Sequence, residues 1–361
     1  MARIFKKGKT TIASSILNIL GLTAAFAALY IILVQVHHDF TFNKSVKDSD
    51  RIYCLTGYGE VFGNDAYQTW LNRPLCEAVI ANSPDIEASG CGHLWGDNLT
   101  IRLSDDQDPV TTMVTSMTKG VFDVFDFQLV SGSWDDWEAG KGYAITESAA
   151  KRFGLQVGDN IMVSYGNVWA EAGIAAIYKD MPKHSDLASF EFVVNMGDQN
   201  IDKRSEWSYN YFVKLRKGAN PNDIEKISEP LVKEHVSIAE NRVVGDDEEA
   251  KFVIHPFPFG DLYFADNINP VGKQGNRTTT ITLLTIAIFV MLIAFINYIN
   301  FFFAMVPLRL KSINTRKILG SSRFSLVMSS VGESLTMVVI ALALRSLRAS
   351  TVNPVKSLRS E

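Results

Sequence analysis

Cysteine and histidine are scarce in this 361-residue sequence, at three and six residues, and the scarcity excludes most metal and redox chemistry. No Cys-x-x-Cys pair or Cys/His ligand spacing occurs, so no metal centre is expected. Cys54, Cys76 and Cys91 are odd in number, which leaves at least one thiol unpaired; burial or an incidental disulfide accounts for them. Gly-x-Ser-x-Gly and His-Glu-x-x-His are missing as well, and with them the commonest hydrolase signatures. Gly8-Lys9-Thr10 has the ending of a phosphate loop but lacks the glycine five residues earlier and a strand before it, so neither a nucleotide nor any other cofactor is expected.

Charge is absent from two long runs, Ile12 to Val36 and Ile281 to Phe303. Each is long enough to cross a hydrocarbon core, since about 20 helical residues span the required ~30 Å. Around them the charges are sorted: 37 of the 39 acidic residues lie between the runs, while 13 Lys and Arg lie outside against only Glu333 and Glu361. The basic flanks, Arg3 to Lys9 and Arg309 to Arg323, are therefore expected in the cytoplasm and the middle segment outside it. A cleaved signal peptide is the rival reading of the first run, disfavoured by its length and by the lack of a small-x-small site before His37.

The expected organisation is a cytoplasmic terminus at 1–11, transmembrane helices at 12–36 and 279–306, and an extracytoplasmic domain at 37–278 between them. A cytoplasmic helix comes next at 307–323, then a partial or truncated third membrane helix at 324–344 and a basic tail at 345–361. A hydrophobic fraction of 47% with 20% charged residues suits a globular domain carried on such helices.

Within the external segment, β-branched and aromatic runs predict strands at Thr100 to Leu103, Tyr143 to Ile145, Ile161 to Tyr165, Ala172 to Tyr178, Phe190 to Val194, Tyr211 to Leu215 and Phe252 to His255. Thr146 is placed to cap a helix that Gly154 stops, and Asn220-Pro221 to start one reaching about Ala239. The fold class is an α+β domain of two lobes inserted between transmembrane helices. His37-His38-Asp39 reads as a solvated turn at the membrane interface, and His184 with Asp186 as a polar loop after Pro182.

In the second run Asn297 and Asn300 share one helical face, and an amide in lipid needs a hydrogen-bonding neighbour. Asn18 and Gly21 in the first run suit close helix packing with them; a transport path is the alternative. Pro307 is expected to end the span, with a short basic helix from Leu308 to Leu319 closed by Gly320, and Ser321 or Ser322 capping the next helix. Arg309, Arg316 and Arg323 recur every seven residues, as either a solvated patch or a docking surface.

The stretch Arg309-Leu-Lys-Ser-Ile-Asn-Thr-Arg316-Lys317-Ile-Leu-Gly320-Ser-Ser resembles the cytoplasmic motif of FtsX/MacB-type ABC transporter permeases, approximately R-x-K-E-I-G-I-R-K-x-L-G-A-S. Ile296-Asn297-Tyr298-Ile299-Asn300 is similar to the family's I-N-F-I-N run. Asp39-Phe40, Asp50-Arg51-Ile52-Tyr53, Val124-Phe125-Asp126-Phe127 with Gly132, Ile145 through Gly154, Val157-Gly158-Asp159 and Lys179-Asp180-Met181-Pro182 are similar to its periplasmic core. Asn353 to Arg359 resembles the family's terminus. Ser312 and Asn314 depart from the family's Glu and Gly, and only Phe324 to Leu344 stands where the family has two further membrane helices. A deletion around Ile340 to Arg345 is the expectation.

The resemblance implies a multi-pass protein of the bacterial inner membrane with a large periplasmic domain, driven by a separate cytoplasmic ABC ATPase and paired with a second permease half, in a homo- or heterodimer. A periplasmic adaptor and membrane lipid are the other expected partners; nucleic acid is not. Arg309, Lys311, Arg316, Lys317, Ile318 and Gly320 would couple to the ATPase, and the motion would drive efflux or lipoprotein release. The alternative is a two-helix anchored sensor or binding module, and an anchored enzyme comes third.

Overall fold

The computed structural model describes residues 2–59, 67–94, 96–103, 108–165, 168–235, 252–269, 272–318, 320, 322, 324–329 and 332. Its elements run α1 (Ala2–Thr41), β1 (Ile52–Gly59), α2 (Arg73–Ala81), β2 (Ile86–Gly92), β3 (Asp97–Arg102), β4 (Val110–Met117), α3 (Lys119–Phe125), β5 (Leu129–Gly132) and α4 (Trp134–Glu138). They continue with β6 (Tyr143–Thr146), α5 (Glu147–Phe153), β7 (Asn160–Tyr165), β8 (Val168–Tyr178), β9 (Phe192–Asn195), β10 (Asn210–Leu215), α6 (Asp223–His235), β11 (Phe252–Pro258) and α7 (Arg277–Ile318). The chain divides into two compact units, His37–Thr280 and a second made of Met1–Val36 with Ile281–Glu361.

The described residues of the second unit are almost all helical. Gly21–Thr41 and Arg277–Asn300, most of whose residues belong to it, are long and apolar enough to cross a membrane. Between Gly21 and Val36 the shielded residues of α1 are Leu22, Thr23, Ala25, Ala27, Leu29, Ile32 and Val36, and between Ile281 and Asn300 those of α7 are Leu283, Leu284, Ala287, Val290, Ala294, Tyr298 and Ile299.

Contrary to the expected break, α7 runs without interruption through Pro307 to Ile318. Proline removes one backbone donor, a loss that apolar helices absorb by local adjustment. Gly320 then takes φ +88°, the left-handed conformation that closes helices at little cost to glycine. The chain is helical again over 324–329, where the Ser322 hydroxyl accepts from the Ser325 amide at 3.2 Å. The end of the expected third helix, the expected deletion near Ile340 and the basic tail lie outside the described residues.

The other unit holds all eleven strands found among the described residues, and they fall into two lobes. Strands β11, β1, β10 and β2 form an antiparallel sheet in that order. Strand β2 meets β4 at Gly92 and Met117, and from there β4, β3, β7, β8, β6 and β9 pair in sequence. A parallel β4–β9 pairing closes that circuit, so six strands have no free edge within it; β5 joins the outside of β8.

Each lobe has its own apolar filling. α2 and α6 cover the four-stranded sheet through Leu75, Val79, Ile224 and Val232 against Leu55, Val213 and Ile254. Alternate residues of all six strands, among them Leu99, Val114, Ile145, Ile161, Ile174 and Phe192, fill the closed circuit together with Ala149 and Leu155. A third cluster contains Phe125, Trp137, Tyr178, Phe212 and Phe259, and within it the Trp137 indole donates to the Val193 carbonyl at 2.9 Å.

Helix α5 begins and ends as its residues dictate: the Thr146 hydroxyl accepts from the Ala149 amide, and Gly154 sits at φ +69°. α6 starts at Asp223 and is described to His235, so the expected end near Ala239 lies outside the described residues. All seven predicted strand runs fall on strands; β1, β2, β4 and β5 are additional. Cys54, Cys76 and Cys91 are free and buried.

Candidate functional site

Where α1 ends and α7 begins, two carboxylates are buried. Both belong to sequence that reads as solvated. His37-His38-Asp39 is no turn but the last stretch of α1, and Asp39 is only 6% exposed. Its carboxylate accepts from the Tyr263 hydroxyl at 3.0 Å and from the Thr280 hydroxyl at 2.7 Å, partners more than 220 residues away in the chain. Burial, reinforced by the bond to Asp39, pushes the Tyr263 phenol up to about 12, so it remains a donor at any ordinary pH. Phe42 stacks on the same ring with centroids 4.3 Å apart, and His38 edges onto His184 at 4.7 Å.

The second carboxylate, Asp186, is 2% exposed and lies in a short 3-10 turn, Asp186–Ala188, rather than in an open polar loop. Asn43, just beyond the end of α1, takes the left-handed conformation, φ 60°. That turn aims its amide at Asp186, and the two residues bond reciprocally: Asn43 Nδ2 donates to Oδ2 at 2.9 Å, and the Asp186 backbone amide donates to Asn43 Oδ1 at 3.0 Å. From the outgoing segment, the Lys273 amide donates to Asp186 Oδ1 at 2.7 Å. Asp186 thereby holds the incoming and outgoing chain at once. Burial raises its carboxyl above the usual range, partly offset by the donors from Asn43 and Lys273.

The outgoing segment is threaded so tightly that only glycine fits at two positions. A Cβ on Gly272 would lie 2.4 Å from the Asp186 carboxylate, and one on Gly275 would lie 2.2 Å from the Tyr263 ring. Asn276 then caps α7, its side chain accepting from the Thr279 amide at 2.8 Å. The arrangement consists of donors matched to acceptors within the unit His37–Thr280. Among the described residues no group of three or more His, Cys, Asp or Glu is disposed to hold a metal ion. Ser148 and Lys151 have the spacing of a serine-lysine dyad on α5, but they donate to Asp180 and Glu147 and not to each other.

The residues predicted from sequence for ATPase coupling sit elsewhere. Arg309, Lys311, Arg316 and Lys317 are on the last turns of α7, with side chains outside the described residues. Ile318 is the helix's exposed final residue, and Gly320 is the left-handed stop. Gly21 and Asn297 line one cavity of about 200 Å³ together with Leu22, Ala25, Val290 and Ala294. Asn300 is exposed, and Asn18 lies on α1 with its side chain outside the described residues. The Asp39 and Asp186 joint escapes local sequence reading because its partners are so distant; the signal that could have found it is the Gly272 and Gly275 pair just before an asparagine cap.

The family model for the MacB-like periplasmic core domain matches residues 15–230. Among solved structures, a domain of a permease protein from Porphyromonas gingivalis aligns at TM-score 0.48 and 17% identity, over 66% of this chain and 98% of that one. The periplasmic region of MacB from Actinobacillus actinomycetemcomitans aligns at 0.34 and 14%, over 50% of this chain and 83% of that one. The extracellular domain of the noncanonic ABC-type transporter YknZ from Gram-positive bacteria aligns at 0.37 and 12%, over 56% and 98% respectively. No curated protein matches. With more than half of its residues inside the family match, the chain belongs to the family of the MacB-like periplasmic core domain, that of the FtsX/MacB-type ABC transporter permeases.

Proposed function

We propose that this inner-membrane permease converts the work of a separate cytoplasmic ATPase into movement of its external domain. The observation that carries the reading is α7: one helix of 42 residues bears both the apolar span and the basic Arg309 to Lys317 segment. At 1.5 Å per residue such a rod is about 60 Å long, and a push at its basic end is felt along its length without a hinge at Pro307. Arg309, Lys311, Arg316, Lys317, Ile318 and Gly320 form the face that meets the ATPase. Asn18, Gly21, Asn297 and Asn300 pack helix on helix, a role supported by the shared cavity of Gly21 and Asn297. The second span carries no ionisable side chain between Ile281 and Phe303 other than Tyr298, which suits a piston better than a polar pore.

The family implies an ATPase partner and a paired permease half. A periplasmic adaptor, bound lipid and further membrane crossings belong to the same proposal, as do efflux or lipoprotein release as the outcome. The test is capture of the full chain from native membranes with mass spectrometry of what accompanies it. An ABC ATPase is expected, and the double variant Arg316→Glu/Lys317→Glu should recover about tenfold less of it, the factor that about 1.4 kcal/mol of lost affinity produces. Equal recovery with the charge-reversed chain would sink the docking role.

A further inference from the structure

The end of the external unit where α1 stops and α7 begins carries exposed cations that no contact described so far employs. Four separate segments of the unit His37–Thr280 meet there. The His184 ring lies 4.7 Å from that of His38, and the His184 carbonyl accepts from the Asn43 amide at 2.7 Å. The Lys273 amide donates to Asp186 at 2.7 Å, and Phe264, at the end of the 3-10 turn Phe259–Phe264, has its ring 5.7 Å from that of Phe40. Of the acids in these segments, Asp39 and Asp186 are buried against hydrogen-bond donors, and Asp261 pairs with Lys44 at 3.0 Å. Lys183, Lys273 and Arg277 are left exposed with no ion pair among the described residues, as is one acid, Asp266.

Depth follows from the helix rise. The first apolar run ends at Val36, so His38 and Phe40 stand about 3 Å and about 6 Å beyond it, and Arg277 stands about 6 Å before Ile281. Headgroups add roughly 5–7 Å on each side of the hydrocarbon core, so a ring touching His38 falls within their layer. That layer favours aromatic rings, which suits Phe40 at 38% exposure, and it draws lysine and arginine toward lipid phosphates. We infer that Phe40, Phe264, Lys183, His184, Lys273 and Arg277 form a docking surface for anionic phospholipid headgroups at the outer face of the membrane. The rings lie among the headgroups and the cations meet their phosphates. Lys183 and His184, remote from both spans in sequence, thereby become membrane-contacting residues. The surface gives a place to the lipid contact of the permease reading, and it rests only on the two spans lying in a membrane.

The test uses the full chain in nanodiscs of phosphatidylcholine and phosphatidylglycerol. A nitroxide on an introduced cysteine replaces Lys183, Phe264 or, as a reference, Tyr30, which is 70% exposed on α1. Collisions with oxygen, which enters lipid, and with a nickel chelate, which stays in water, give the depth of each label. Residues 183 and 264 should read headgroup depth and residue 30 hydrocarbon depth. Water at residue 30 would fail the spans themselves, whereas hydrocarbon depth there with water at 183 or 264 would overturn the docking surface alone. The chemistry is read with spin-labelled lipids. Lys183→Gln/Lys273→Gln should weaken the preference of the chain for phosphatidylglycerol over phosphatidylcholine, and Lys226→Gln, at an exposed lysine on α6, should leave it unchanged. No loss in the double variant, or an equal loss in the control, would overturn the role given to these cations.

Discussion

Asp186 is the residue whose burial carries the clearest cost and therefore the clearest signature. Its carboxyl is raised above the ordinary value of 3.8 because burial outweighs the donors from Asn43 and Lys273. A raised carboxyl binds its proton more tightly in the folded chain than in the unfolded one. Its stabilising contribution is then complete below 3.8 and is lost as pH rises through the raised value. Asp186→Asn removes the titration and keeps the shape. The stability of the native chain relative to this variant should therefore fall as pH climbs from about 4 toward neutrality, and level off once the carboxylate is fully ionised. All six tryptophans lie between residues 70 and 207, so intrinsic fluorescence in urea reports the external unit alone. A difference between the two chains that does not vary with pH would refute the assignment. Nothing in the local sequence reveals this residue: an aspartate two places after a histidine in a polar stretch looks solvated, and its burial is created by Asn43 and Lys273 from the two ends of the domain.

Elements were legible where the cause is local and hidden where it is tertiary. Helix α5 shows the first case, since Thr146 and Gly154 specify its ends by their own chemistry. Thr146→Ala should cost about 1 kcal/mol through loss of the bond to the Ala149 amide, while Thr146→Ser should stay within a few tenths. Urea midpoints of the two variants check this, and equal losses would mean that the methyl group, packed at the end of β6, matters more than the cap. Strand β2 shows the second case. Its glycines blur the strand pattern because they serve α3: a Cβ on Gly90 would stand 2.1 Å from the Val121 amide nitrogen, and one on Gly120 would stand 1.9 Å from the Ser89 carbonyl oxygen. Strand β4 is obscured differently, since Thr112 and Thr115 are buried where apolar residues would announce it.

At the scale of the whole molecule, the proposed topology rests on the partition of charge across two apolar helices, with 13 basic residues outside the runs and a net charge of about −15 between them. The partition itself is plain in the sequence, because it is a matter of composition and needs no tertiary contact. The topology can be tested without removing the native thiols. Cys54, Cys76 and Cys91 are at most 1% exposed, and burial pushes each thiol upward, Cys91 to about 12, so none offers a reactive thiolate. A cysteine introduced at Ser131, exposed on β5, should react in intact cells with a maleimide that cannot cross the inner membrane. One introduced at Ser312, on the basic end of α7, should react only after the membrane is opened. Labelling of residue 312 in intact cells would place the coupling segment outside, where no ATPase could reach it, and would remove the permease reading together with the topology.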